Sequence, residues 1–208
     1  QPAAFGAFFT GLLLPVLQSL HRPASRTLLS TMIDACRKFP STAIQAMIVP
    51  VAIAPAATLL KVSSYVLISE HTHISIIDRG VFLSPQVLSR LVKDAIPSAL
   101  RQDCMRHLLD ACKASSCYTD TSFKLLESLT SSGSTIDQSV ITALVSHLER
   151  ALASAALVAS SVKFGALVFS LISKHKQGAR ACKVPLSAIC NAMQSFMSKS
   201  CIALLNKV

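Results

Sequence analysis

The sequence predicts an all-α fold assembled from antiparallel helical pairs, repeats of the HEAT type. Three observations lead there. Leu, Ala and Ser dominate a chain that is 51% hydrophobic, 14% charged and free of tryptophan, a mixture that suits tightly packed helices better than a sheet sandwich. Apolar residues recur at spacings of three and four, the period of a helix with one buried face. One short phrase also occurs twice, as "MIDACRKF" from Met32 to Phe39 and as "LLDACKAS" from Leu108 to Ser115.

The elements follow in chain order. Leu28, Leu29, Met32, Ile33 and Cys36 form one helical stripe. Cys104, Met105, Leu108, Leu109 and Cys112 form its counterpart, with Asp34 matching Asp110 and Arg37 matching Lys113. The offset is 76 residues, from 36 to 112, close to twice a helical-pair repeat of roughly 34 to 47 residues. Cysteines on such a stripe behave as small hydrophobes, so the repeated phrase is a structural one. Ser84-Pro85 reads as an N-cap followed by proline at the first helical position, opening a helix through Ala95. Pro97-Ser98 starts the next, to about Ala114; Asp120 caps a short helix ending near Gly133; and Ser134 to Asp137 begins a longer one toward Ala156. Ser161 to Lys174 and Pro185 to Leu205 complete the series, separated by the basic turn "KHKQGARACK". "VSSYVLISEHTHISII", Val62 to Ile77, has the β-branched content of a strand. With no second strand to pair with, it is expected to be helix or loop.

Two stretches, Gln1 to His21 and Phe39 to Leu60, carry no formal charge and reach the length of a membrane span. Pro2, Pro15, Pro40, Pro50 and Pro55 interrupt them, and proline removes backbone donors that lipid cannot replace. Buried helices with no membrane contact are the expectation. No basic segment precedes the first stretch, which argues against a signal peptide, and the missing initiator methionine leads us to expect a domain of a longer protein. Seven cysteines, an odd number with no CxxC pair, read as reduced thiols of the cytosol or nucleus.

Charge is uneven. Residues 150–208 hold eight of the 20 Lys and Arg and none of the 10 Asp and Glu, so Glu149 is the last carboxylate side chain. A patch of one sign attracts acidic protein or nucleic acid; alternatively, these residues solvate the outer faces of apolar helices. Metal ligation has three pieces: His71 and His73, Cys104 with His107, and Cys112 with Cys117. Structural zinc wants two close pairs, and His107 should turn away from Cys112, so no metal or other cofactor is expected. No GxSxG, HExxH or glycine-rich phosphate loop occurs, and no carboxylates pair for acid–base work. The basic region has only Phe164, Phe169 and Phe196 as aromatics, and the first two fit an apolar stripe with Val168, Leu171 and Ile172.

"LLLPVLQSLHRPASRTLLSTMIDACRKFPSTAIQAMIVP", Leu12 to Pro50, and "SSVKFGALVFSLISKHKQ", Ser160 to Gln177, with the terminal "AMQSFMSKSCIALLNKV", resemble the C-terminal domain of the Fanconi anaemia group E protein. The resemblance spans roughly half the chain; residues 55–150 carry little of it. It implies a right-handed solenoid of antiparallel helical repeats without catalytic activity. It further implies a subunit of a nuclear ubiquitin ligase complex for repair of DNA interstrand crosslinks. Its partners would be the group C and group F subunits, and it would bring the group D-two protein for monoubiquitination. In that family the C-terminal helices engage the substrate. In this chain Leu186, Cys190, Met193, Met197, Cys201 and Leu204 would form one core stripe, with Phe196 about 100° off it and Lys199 on Phe196's side. Phe196 could equally widen the core stripe beside Ile189. The partner-binding candidates are Phe196, Lys199, Lys163, Lys174 and Lys176. The competing readings are a basic helical domain that binds nucleic acid directly, and a generic HEAT-type scaffold with unrelated partners.

Overall fold

The computed structural model describes residues 2–13, 25–54, 85–116, 118–133 and 135–208. These form helices, with no strand among the described residues. Ser84, Val62 to Ile77, His71, His73 and Cys117 lie outside them.

The first elements are α1 (Pro2–Phe8), running into a π-helical turn Phe9–Leu13, and α2 (Arg26–Lys38). The Ser25 hydroxyl caps α2 by accepting from the Leu28 amide at 3.2 Å. Next, α3 (Pro40–Ala43) passes through the π-helical stretch Ile44–Ile48 into α4 (Val49–Ile53). The widened turn falls just before Pro50, whose ring would otherwise clash with the carbonyl four residues back. Among the described residues no helix is long and apolar enough to cross a membrane.

From residue 85 onward lie α5 (Pro85–Ala95), α6 (Ser98–Ser115), α7 (Asp120–Ser131), α8 (Gln138–Ser154), α9 (Ala156–Ser160), α10 (Val162–Lys174), α11 (Lys176–Ala181), α12 (Lys183–Ala192) and α13 (Ser198–Leu205). Three boundaries differ from the sequence-based expectation. The cap of α7 is Thr119, not Asp120: its hydroxyl accepts from the Ser122 amide at 3.0 Å while the Ser122 hydroxyl accepts from the Thr119 amide, a reciprocal box built with serine in place of glutamate. The basic turn contains a helix of its own, α11. The last helix is broken: Met193 is extended (ψ 131), and the Gln194 amide donates to the Ala159 carbonyl of α9 at 2.8 Å. That tertiary bond ends α12, and helix resumes only at Ser198, whose hydroxyl reaches back to the Cys190 carbonyl at 2.7 Å.

Packing is ordered. Along the chain, α2, α5, α7, α10 and α13 each contact the next of that set, and α4, α6, α8 and α12 do the same. Between α7 and α10, Phe123 and Phe164, both buried, meet edge to face at 5.3 Å. The two copies of the repeated phrase fall in different series, since Cys36 lies on α2 and Cys112 on α6. Both cysteines are fully buried. The phrase therefore repeats a buried stripe, and its 76-residue offset does not mark equivalent positions in the packing. Arginines close the end of α5, a role that leaves no periodic trace in sequence. Arg101 donates to the carbonyls of Lys93, Ile96 and Ser132, and Arg37 to that of Asp94, satisfying acceptors that a helix end leaves open.

Candidate protein-interaction surface

The break between α12 and α13 lifts Phe196 off the core. Leu186, Cys190, Met193 and Cys201 are buried and Met197 and Leu204 half-buried, so the expected stripe holds although its helix does not. Ile189 is buried and Phe196 is 78% exposed; the two do not share a face, and Phe196 owes its position to the loop, not to a helical rotation. Residues 193–197 lie across the start of α10. A Cβ on Gly165 would sit 2.9 Å from Ser195 Oγ and 3.3 Å from Met197 Cβ, so the absence of a side chain at Gly165 is what lets this segment approach. Underneath, the Cys190 and Cys201 thiols hydrogen-bond to each other, which holds Cys190 below the usual thiol range and, with burial, raises Cys201.

The bond from Gln194 to Ala159 brings a second set of residues to the same end. Leu157 on α9 is 84% exposed and Val162, at the first turn of α10, is 49% exposed. Lys163, next to Val162 in the chain, and Lys199 on α13 are exposed as well. Neither Leu157 nor Val162 was singled out in the sequence, because "SAALVASSV" has no period that separates an outer residue from an inner one. Phe169 is also partly exposed, at 36%, whereas Phe164 is buried, so only one of the two joins the expected stripe.

Lys174 and Lys176 are elsewhere. They lie at the far end of α10, about 17 Å along its axis from Lys163, on a cleft of about 510 Å³ between α8, α10 and α11. The five candidate residues thus divide into an apolar corner (Phe196, Lys199 and Lys163) and a cationic cleft (Lys174 and Lys176). A smaller hollow of about 340 Å³ holds His107 near Gln45, with Asp103, Arg106 and Asp110 at its wall.

Among the described residues no group of three or more His, Cys, Asp or Glu could hold a metal ion. Cys104 and Cys112 are buried while His107 is exposed, and burial pushes the thiols of Cys36 and Cys104 up to about 12, which removes them as nucleophiles. No known protein family and no curated protein matches the chain.

Proposed function

We propose that the chain is a non-catalytic adaptor domain, a solenoid of antiparallel HEAT-like helical repeats that presents the Phe196 corner to a protein partner. The two series of successive contacts, α2–α5–α7–α10–α13 and α4–α6–α8–α12, support the solenoid, in which each helix pair buries its neighbours and a long flank stays open. One observation carries the interface: Phe196 stands 78% exposed on the segment whose Gln194 amide bonds to α9, at the end of the molecule that also exposes Leu157, Val162, Lys163 and Lys199. Asp120 reaches this end from α7, accepting from the Ser161 hydroxyl at 2.6 Å. Large apolar side chains grouped with a cationic rim are the composition of a binding hot spot for a partner with acidic character.

The resemblance to the Fanconi anaemia group E domain gives this adaptor its particular reading. It would be a nuclear subunit of the core ubiquitin ligase, contacting the group C and group F subunits and recruiting the group D-two protein through the Phe196 corner. Calorimetric titration with the group D-two protein tests it. Phe196→Ala should weaken binding by about 2 kcal/mol or more with the melting temperature unchanged, and Lys199→Glu should weaken it in a salt-sensitive way. Unaltered binding by Phe196→Ala sinks this reading. The acid-free stretch supports the alternative of direct nucleic-acid binding. In that case affinity for DNA should fall by orders of magnitude between about 50 and about 200 mM salt and be indifferent to Phe196.

A further inference from the structure

The cleft at the far end of α10 has a construction of its own. Its wall is the turn from α10 into α11, and that turn is pinned: the His175 ring Nε2 donates to the Thr130 carbonyl at 3.0 Å, and the His175 amide to the Leu171 carbonyl at 3.0 Å. Opposite lie Ile136 and the first turn of α8, with Ile141 as an apolar floor. Gly178 lets α11 settle there, since a Cβ at that position would sit 2.3 Å from Ile141 Cδ1. Lys174 and Lys176 flank the pinned histidine and are exposed; among the described residues neither makes an ion pair. Thr135 and Gln177 add a hydroxyl and an amide, and no lining residue is acidic. The nearest carboxylate in sequence, Asp137, is engaged outside the cleft by Arg106 at 3.2 Å and by Gln102.

We propose that this cleft binds a phosphate monoester, the phosphorylated serine or threonine of a partner protein. Two ammonium groups on a rigid turn match the nearly double charge and three acceptor oxygens of such a group. A carboxylate offers half the charge and fewer acceptors. A polynucleotide spreads single charges along a strand and asks for a track of cations interleaved with aromatics, whereas here two lysines converge on one hollow with no aromatic beside them but the pinned His175. The volume of about 510 Å³ falls in the range of ligand sites and admits the phosphorylated side chain with its neighbours.

The test uses the 208-residue chain, labelled with nitrogen-15, and O-phosphoserine as probe at constant ionic strength. Saturable amide shifts are expected at residues 135–141 and 173–178, weakened at least about tenfold in Lys174→Ala/Lys176→Ala and retained in Lys163→Ala/Lys199→Ala and in Phe196→Ala. A degenerate phosphoserine peptide pool should then bind better than the same pool unphosphorylated and better than short single-stranded DNA. Shifts spread over the whole basic surface, or indifferent to Lys174 and Lys176, would reduce the cleft to diffuse charge and overturn the proposal. DNA outcompeting the peptide pool, with the same lysine dependence, would overturn it in favour of nucleic acid. Because Phe196→Ala is among the controls, failure here and failure of the Phe196 interface are told apart.

Discussion

Arg106 and Lys199 are both exposed cations on helices of similar interior, and their surroundings differ. Arg106 donates to Asp103 at 2.9 Å and to Asp137 at 3.2 Å. Lys199 has no carboxylate side chain on its own or either neighbouring helix, because residues 150–208 contain none. The same contrast holds across the two regions. Among the described residues, 85–149 hold three of the four ion pairs and no large exposed hydrophobic residue, while 150–208 expose Leu157, Val162, Phe169, Val184 and Phe196. Underneath, both have a core of buried Leu, Val, Ile and Phe, and α7 and α10 interlock across the boundary. A surface that covers its apolar groups and neutralises its charges is finished; one that does neither is shaped for something else to complete it.

Breaking the shared interior should give the largest effect. Phe164 is buried on α10 against Phe123 on α7, so Phe164→Ala should cost about 3–5 kcal/mol, read by urea denaturation. Loss confined to the 150–208 half, with α5–α8 keeping their hydrogen-exchange protection, would show that the two regions do not share one core.

A second substitution probes where the interior itself is uneven. Among the described residues, the buried side-chain nitrogens and oxygens without a partner belong to His147 and Ser195, one in each region. His147 on α8 lies 5.1 Å from the Tyr118 ring, and burial, aided by the charge of Arg150, lowers its pKa from 6.5 to about 4. The folded state thus takes up the proton less readily than the unfolded chain. Stability is whole above about pH 6.5 and lost as pH falls, by about 2 kcal/mol at about pH 5 and about 3 kcal/mol near pH 4. His147→Leu should flatten that slope; equal slopes in variant and parent would place the acid sensitivity elsewhere.

The repeated phrase gives a third test. Cys36→Ser places a hydroxyl in a fully buried site and should cost about 1–3 kcal/mol, measured by denaturation in reducing buffer. A neutral result would mean that the α2 end of the molecule is not held by the same packing as α7 and α10.

What was legible in the sequence was periodicity and its punctuation. Ser161, Pro97-Ser98 and the stripe from Cys104 to Cys112 fell where expected because local spacing and capping decide them. The break after Ala192 was not legible, since a backbone bond from Gln194 to Ala159, set by tertiary packing, overrides a stripe that continues unbroken through residues 186–204. Phe196 was therefore named on a rotation it does not make, and its exposure follows from the loop. Leu157, Val162 and the cleft at Lys174 needed the fold: a side chain's being outermost, or two lysines sharing one hollow, is a property of neighbours distant in sequence. For the same reason the 76-residue offset read as a repeat although α2 and α6 pack in different series.

The smallest effect sharpens the comparison most directly. Arg106→Ala removes a half-exposed guanidinium that bridges two carboxylates. Exposed pairs are worth about 0.2–1 kcal/mol and less as salt rises, so the loss should be near the upper end of that range and shrink in high salt. Lys163→Ala and Lys199→Ala remove cations with no ion pair among the described residues, from a region in which like charges accumulate. Their stability should stay within about 0.5 kcal/mol of the parent, with any gain appearing at low salt, where relief of repulsion counts most. Denaturation of the three variants at low and high salt separates the cases by sign as well as size. If Lys199→Ala destabilises as much as Arg106→Ala, the cations of residues 150–208 serve this chain's own stability, and the contrast between a completed surface and an open one fails.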